Sequence, residues 1–198
     1  MEELNQSLFL LINAPAHPTP ALLIFAKVCA EQLIWLIPIA VLLGWLSGAE
    51  KTRKIMLQAT VSAIIGMLLS QLIGLLWQHP RPFMIGLGHN FVPHVADSSF
   101  PSDHLTLLWT VAFSFLFHRR VRVIGLMFAL MGLPVAWARI YVGVHFPLDM
   151  LGAAVVAVVS AGIGWWTAKW YVTQTFRCAT AIHRWLFGPL IRRGWLLK

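Results

Sequence analysis

Seven polar residues carry the chemistry that this sequence could perform: Arg81, Ser102, Asp103, His104, Arg139, His145 and Asp149. Two arginines offer permanently charged, fork-shaped donors that match the oxygens of a phosphate. Ser102 and the backbone N–H groups of 102–104, at the start of a helix, would add donors aligned with the helix dipole. His104 and His145 can hold and move protons near neutral pH. Asp149 follows His145 by four residues, one helical turn, and could orient that imidazole. Oxyanion donors, a nucleophile with its orienting carboxylate and a separate acid together describe phosphoryl transfer.

The elements that must position these residues are apolar. Of 198 residues, 59% are hydrophobic and 11% charged, against about 25% charged in soluble domains. Five runs have the length of bilayer spans, at about 21–47, 55–77, 102–118, 122–140 and 148–173. The expected fold is an all-α polytopic transmembrane helical bundle, one membrane-embedded domain over 1–198. Residues 3–14, within an N-terminal segment 1–20, are too short to span and read as a helix lying in the membrane interface. Residues 174–198 read as a basic tail. The acidic start, MEELNQSLF, is unlike a cleavable signal peptide. Cys29 and Cys178 suggest no disulfide framework. Tryptophans such as Trp77, Trp165, Trp166 and Trp195 fit an aromatic belt, and His89, His118 and His183 read as interfacial.

Net charge is +8, and its placement decides what it means. Lys51, Arg53 and Lys54, then Arg119, Arg120 and Arg122, then Arg177, Arg184, Arg192, Arg193 and Lys198 fall on one side of a five-span chain. Lysine and arginine are retained in the cytoplasm, so that side is inside and the charge contacts membrane lipids rather than nucleic acid. The N-terminus, the 78–101 loop and the 139–147 turn then lie outside. "QHPRPF", "FPSDH" and "RIYVGVHFPLD", distant in sequence, meet on that outer face. Ionisable groups at span ends are costly unless they work together or reach water. A transporter would instead thread such groups through the depth of the bundle.

These stretches resemble the type 2 phosphatidic acid phosphatase superfamily. Arg81-Pro82 stands for its first motif, Pro101-Ser102-Asp103-His104 for the second, and Arg139-x5-His145-x3-Asp149 for the third. "HVADSSFPSDH" and "PRPF" are similar to the bacterial subgroup acting on undecaprenyl diphosphate. The resemblance implies His145 as nucleophile, Asp149 as its orienter and His104 as acid and then base. It implies Arg81, Arg139 and Ser102 on the phosphate, a polyprenyl diphosphate lipid as substrate, and no metal or other cofactor. It also implies a bacterial inner-membrane enzyme with its site outside and its C-terminus in the cytoplasm. Another lipid phosphate, phosphatidylglycerol phosphate or phosphatidate, is the alternative substrate. Nothing in the sequence points to an oligomeric state.

The sequence departs from the pattern at three positions. The first-motif lysine falls on Gly74, Asp103 replaces glycine and Ala138 replaces serine. Lys27 could take the missing lysine's place on the phosphate, held by Glu31 one turn deeper; His79 is a second candidate. Asp103 would repel a phosphate unless paired, and so could orient an arginine or His94. Asp97 and Asp103 are the carboxylates that could bind a divalent ion, while His94, Asp97, Ser98 and Ser99 otherwise read as loop formers. Ser102 could also cap the third span.

Overall fold

The computed structural model describes residues 2–47 and 49–194; Trp195 and Lys198 lie outside these. It is all-helical among the described residues: α1 Glu2–Ile12, α2 Pro20–Lys27, α3 Leu36–Ser47, α4 Glu50–Leu76, α5 Asp103–Leu116, α6 Arg122–Tyr141 and α7 Pro147–Arg192. Among the described residues, four segments are long and apolar enough to cross a membrane: Pro20–Leu46, α4, α6 and α7. The third expected span, α5, has only 14 residues, about 21 Å against a bilayer core of about 30 Å. It is the hub of the bundle and touches α4, α6 and α7, so protein rather than lipid covers it. Leu105, Leu108, Val111, Ala112 and Phe115 are all buried.

Small residues let these helices approach closely, the packing mode available where lipid removes the hydrophobic drive between helices. Gly132 of α6 leaves no room for a Cβ because the Trp109 indole lies there, donating from Nε1 to the Ala129 carbonyl at 3.1 Å. Gly164 of α7 faces Ser62 of α4 in the same way.

Four expectations change in the structure. The first span is not one regular helix: between α2 and α3 it opens into a π turn over Val28–Gln32 and tightens to a 3₁₀ turn over Leu33–Trp35. Pro38 gives a local reason, since it donates no N–H and crowds the carbonyl of Ile34. α1 is more than an interfacial helix. Leu4, Leu8 and Leu11 are exposed, but Phe9 is buried edge-on against Phe146 at 5.4 Å and Asn5 Oδ1 accepts from the Leu148 N–H at 3.1 Å. Residues 174–192, expected as a basic tail, are helical and continuous with the last span. His183, expected at the interface, is 1% exposed, with Nδ1 accepting from Trp45 Nε1 at 3.3 Å and Nε2 3.4 Å from Arg53 Nη2.

Candidate active site

The centre of the site is the α6–α7 turn, 142–146. Gly143 has φ +89°, and any Cβ there would strike the His89 carbonyl, so this turn needs glycine. Pro147 then starts α7 with its preset φ. Asp149, in the first turn, folds back so that Oδ2 accepts the Phe146 N–H at 2.8 Å, while its own N–H donates to the Phe146 carbonyl at 3.1 Å. The same oxygen lies 3.1 Å from His145 Nδ1 and accepts from the Ser99 hydroxyl. The carboxylate thus makes Nδ1 the protonated nitrogen and leaves a lone pair on Nε2. Nε2 faces Arg81 Nη1 at 3.1 Å and Arg139 Nη2 at 3.3 Å. Burial, then the nearby Arg139 and Arg81 charges, push the His145 pKa well below an ordinary imidazole's, which keeps that lone pair available.

Both guanidiniums are buried, Arg81 at 3% and Arg139 at 2% exposure, which is tolerable only with acceptors in place. Arg81 precedes a 3₁₀ turn, Pro82–Ile85. Its Nε donates to Asp97 Oδ1 at 2.8 Å, Nη1 to the Val144 carbonyl at 3.0 Å and Nη2 to the Ser98 carbonyl at 3.1 Å. Arg139, in the last turn of α6, donates from Nη1 to the Ala30 carbonyl at 3.4 Å, inside the π turn. Its Nη2 also meets His94 Nε2 at 3.0 Å. A π turn beside an arginine of the candidate site fits the usual placement of such bulges. Burial foremost, with the two arginines adding to it, lowers the His94 pKa, although the Val95 carbonyl at its Nδ1 opposes this.

Two donors remain unused. Ser102 starts α5, yet its fully buried hydroxyl makes no capping bond and has no partner, and Arg139 Nε is likewise buried without one. His104 lines a cavity of ≈ 510 Å³ together with Glu31, Trp35, His94, Leu107 and Arg139. An oxyanion beside His145 Nε2 would meet the guanidiniums of Arg81 and Arg139, which lie 3.1 and 3.3 Å from that nitrogen.

Several expected pairings are absent. Lys27 and Glu31 make no ion pair among the described residues. The π turn changes the angular step between them, so the Lys–Glu spacing of a regular helix no longer applies. Glu31 faces the cavity and Lys27 does not line it. Asp103 neither joins the phosphate donors nor orients an arginine or His94: Oδ1 accepts from Ser70 Oγ at 2.6 Å and Oδ2 from Gln71 Nε2 at 3.0 Å. It lines a separate cavity on the α4 side with Gly74 and His79. His79 sits there as well, 3.3 Å from Glu2 Oε2 and edge-on to Phe146. Asp97, weighed as a cation ligand, is spent on Arg81.

Ser99 is the residue that sequence reading undervalued. It is fully buried, and nothing in "SSFPSDH" separates it from Ser98, whose hydroxyl only serves the Trp77 and Phe100 carbonyls.

The comparisons with known proteins agree with this geometry. Residues 55–175 match the model of the PAP2 superfamily. The YbjG protein of Escherichia coli (strain K12) is 36% identical over 199 residues, 99% of this chain and 98% of that protein. Undecaprenyl-diphosphatase BcrC of Bacillus subtilis (strain 168) is 36% identical over 156 residues, covering 79% of this chain and 80% of BcrC. The fold is shared with Aquifex aeolicus LpxE, at TM-score 0.64 and 23% identity, over 82% of this chain and 94% of the crystallised one. The motif residues meet around His145 inside the matched stretch, and most of this chain aligns with these relatives: it belongs to the PAP2 superfamily.

Proposed function

We propose that this chain hydrolyses undecaprenyl diphosphate to undecaprenyl phosphate and inorganic phosphate. The observation carrying this reading is the pair His145–Asp149, with Nε2 turned toward two buried arginines. The BcrC relative's name supplies the substrate class. His145 Nε2 attacks the terminal phosphorus in line, and the bond from that phosphorus to the bridging oxygen breaks. Arg81, Arg139 and the Ser102 hydroxyl stabilise the charge spread over the equatorial oxygens, the main catalytic demand in phosphoryl transfer. His104 gives its proton to the departing lipid phosphate. It then takes one from water, which attacks the phosphohistidine, releases phosphate and restores His145. Each proton and oxygen is accounted for by the chain, the substrate and one water.

The distribution of basic residues supports a multi-pass chain in the bacterial inner membrane with this site on the outer, periplasmic face. There a diphosphate head can reach the site while its tail stays in lipid.

The test is phosphate release by purified protein from undecaprenyl diphosphate, phosphatidate and phosphatidylglycerol phosphate, each with EDTA present. The polyprenyl substrate should be preferred, and His145→Ala should lower turnover at least ~10⁴-fold. Faster release from a phospholipid would move the reading to that lipid. Loss of activity in EDTA, restored by a divalent ion, would overturn the metal-free route. Full activity of His145→Ala would remove the nucleophile.

A further inference from the structure

At the end of the bundle opposite His145 lies a second polar cleft, ≈ 580 Å³, between the start of α4, the α5–α6 turn and the middle of α7. Gln58 and Gln71 both lie on α4, 13 residues or about 20 Å apart along its axis, and Gln71 contacts the site end through Asp103. Lys51, Lys54, Arg119, Arg120 and Lys169 line the cleft, and no carboxylate does among the described residues. Lys54 is neutralised by Glu50 at 2.6 Å. Among the described residues, Arg120 meets only the Thr52 hydroxyl, at 3.3 Å, and Lys169 only the face of Trp170, 4.8 Å from its centroid.

The cleft also holds a buried donor without a partner. Gln58 is 5% exposed. Its Oε1 accepts from His118 Nε2 at 3.2 Å, while its Nε2 has no acceptor. A buried N–H left unmatched costs free energy unless a ligand or water completes it. An amide oxygen can only accept, so His118 Nε2 donates to Gln58 Oε1, and the Gln58 amide N–H points away from that ring. Ile55, Phe117, Ala168 and Val172 supply apolar walls between the cations. A free phosphate has no use for such walls, whereas the glycerol and first acyl carbons of a lipid do.

We propose that this cleft binds the phosphate-bearing headgroup of an acidic phospholipid. The phosphate sits among Lys51, Arg119 and Lys169 and accepts from Gln58 Nε2, with the acyl chains leaving along the outside of α7. The site is separate from the His145 centre and does not depend on which lipid that centre cleaves.

The test uses the full chain, delipidated in dodecyl maltoside and titrated with dioleoylphosphatidylglycerol, dioleoylphosphatidylcholine or inorganic phosphate. Bound lipid is counted by native mass spectrometry. Wild type should retain phosphatidylglycerol in preference to phosphatidylcholine. The Lys51→Gln/Arg119→Gln/Lys169→Gln variant should bind it about tenfold more weakly or worse while still releasing phosphate at the His145 centre. If that variant does not fold, Gln58→Glu keeps the His118 bond and places a like charge at the phosphate, so it should also lose the lipid. Millimolar phosphate that displaces the lipid would support the anion site with a free anion as a competing source. Equal retention of the two lipids by wild type, or unchanged binding in both variants, would overturn the proposal.

Discussion

The two ends of the bundle both gather cations, but the His145 centre and the opposite cleft hold theirs differently; Arg53, buried at the far end with its Nε donating to the Trp45 carbonyl at 2.9 Å, lines neither. At the His145 end, Arg81 and Arg139 are buried and each is held by backbone carbonyls. At the other end, Arg119, Arg120 and Lys169 are exposed and make few bonds. A buried, pinned guanidinium has a fixed direction and acts in a low dielectric, which chemistry needs. An exposed one is a mobile charge, sufficient for holding an anionic surface and worth little to stability.

The sharpest way to break this contrast is at Asp149, the carboxylate 3.1 Å from His145 Nδ1. Asp149→Asn keeps the shape but can present an N–H to His145 Nδ1, which favours the wrong tautomer. Turnover should fall about 10³-fold in the phosphate-release assay, and a fall below tenfold would separate His145 from its supposed orienter. Next comes the same substitution at both ends. Arg81→Lys replaces a fork bonded to Asp97, Val144 and Ser98 with a single point charge and should cost about 10²-fold in kcat/KM. Arg119→Lys should leave kcat/KM unchanged. Equal effects would erase the difference between the two ends.

Smaller effects test the support of the pair. Ser99→Ala removes one donor to Asp149 and should cost about tenfold in kcat with little change in KM; a change in KM alone would make Ser99 a binding residue instead. The mildest test is pH. An ordinary imidazole titrates near pH ~6.5, and burial holds His145 well below its usual value. Histidine-labelled NMR should therefore still find its ring neutral at pH 6. Because the unfolded chain takes up that proton first, this group costs nothing above its unfolded pKa. It withdraws stability as pH falls below it, and thermal unfolding from pH 7 to 5 should show the loss. A His145 ring protonated at pH 6 would contradict the environment described above.

Much of the site was legible because its residues sit at element boundaries with strong local rules. Pro147 and Asp149 announce a helix start, and the i, i+4 spacing to His145 survives because the turn before α7 is short. Arg81 and Arg139 were legible through motif resemblance, and hydropathy marked five apolar runs, four of which are long enough to cross a membrane. Lys27 and Glu31 were misread because the spacing argument assumed a regular helix, while a π turn changes which residues share a face. Asp103 was placed by its motif neighbours, yet the first turn of α5 directs it to Ser70 and Gln71 of α4.

By itself, then, the sequence determined the apolar all-helical class, the boundaries that carry Arg81, Ser102, His104, Arg139, His145 and Asp149, and the side of the chain on which basic residues collect. These follow from local composition and spacing, which act over a turn or two. The tertiary structure alone decided which acceptors pin each arginine, that Ser99 rather than Ser98 reaches Asp149, and that Glu31 enters the cavity without Lys27. It also decided that Gln58 ends with an unmatched N–H. Each of these depends on where separate helices meet, and a hydrogen bond is made or lost within a few tenths of an ångström, a precision no single stretch of sequence contains.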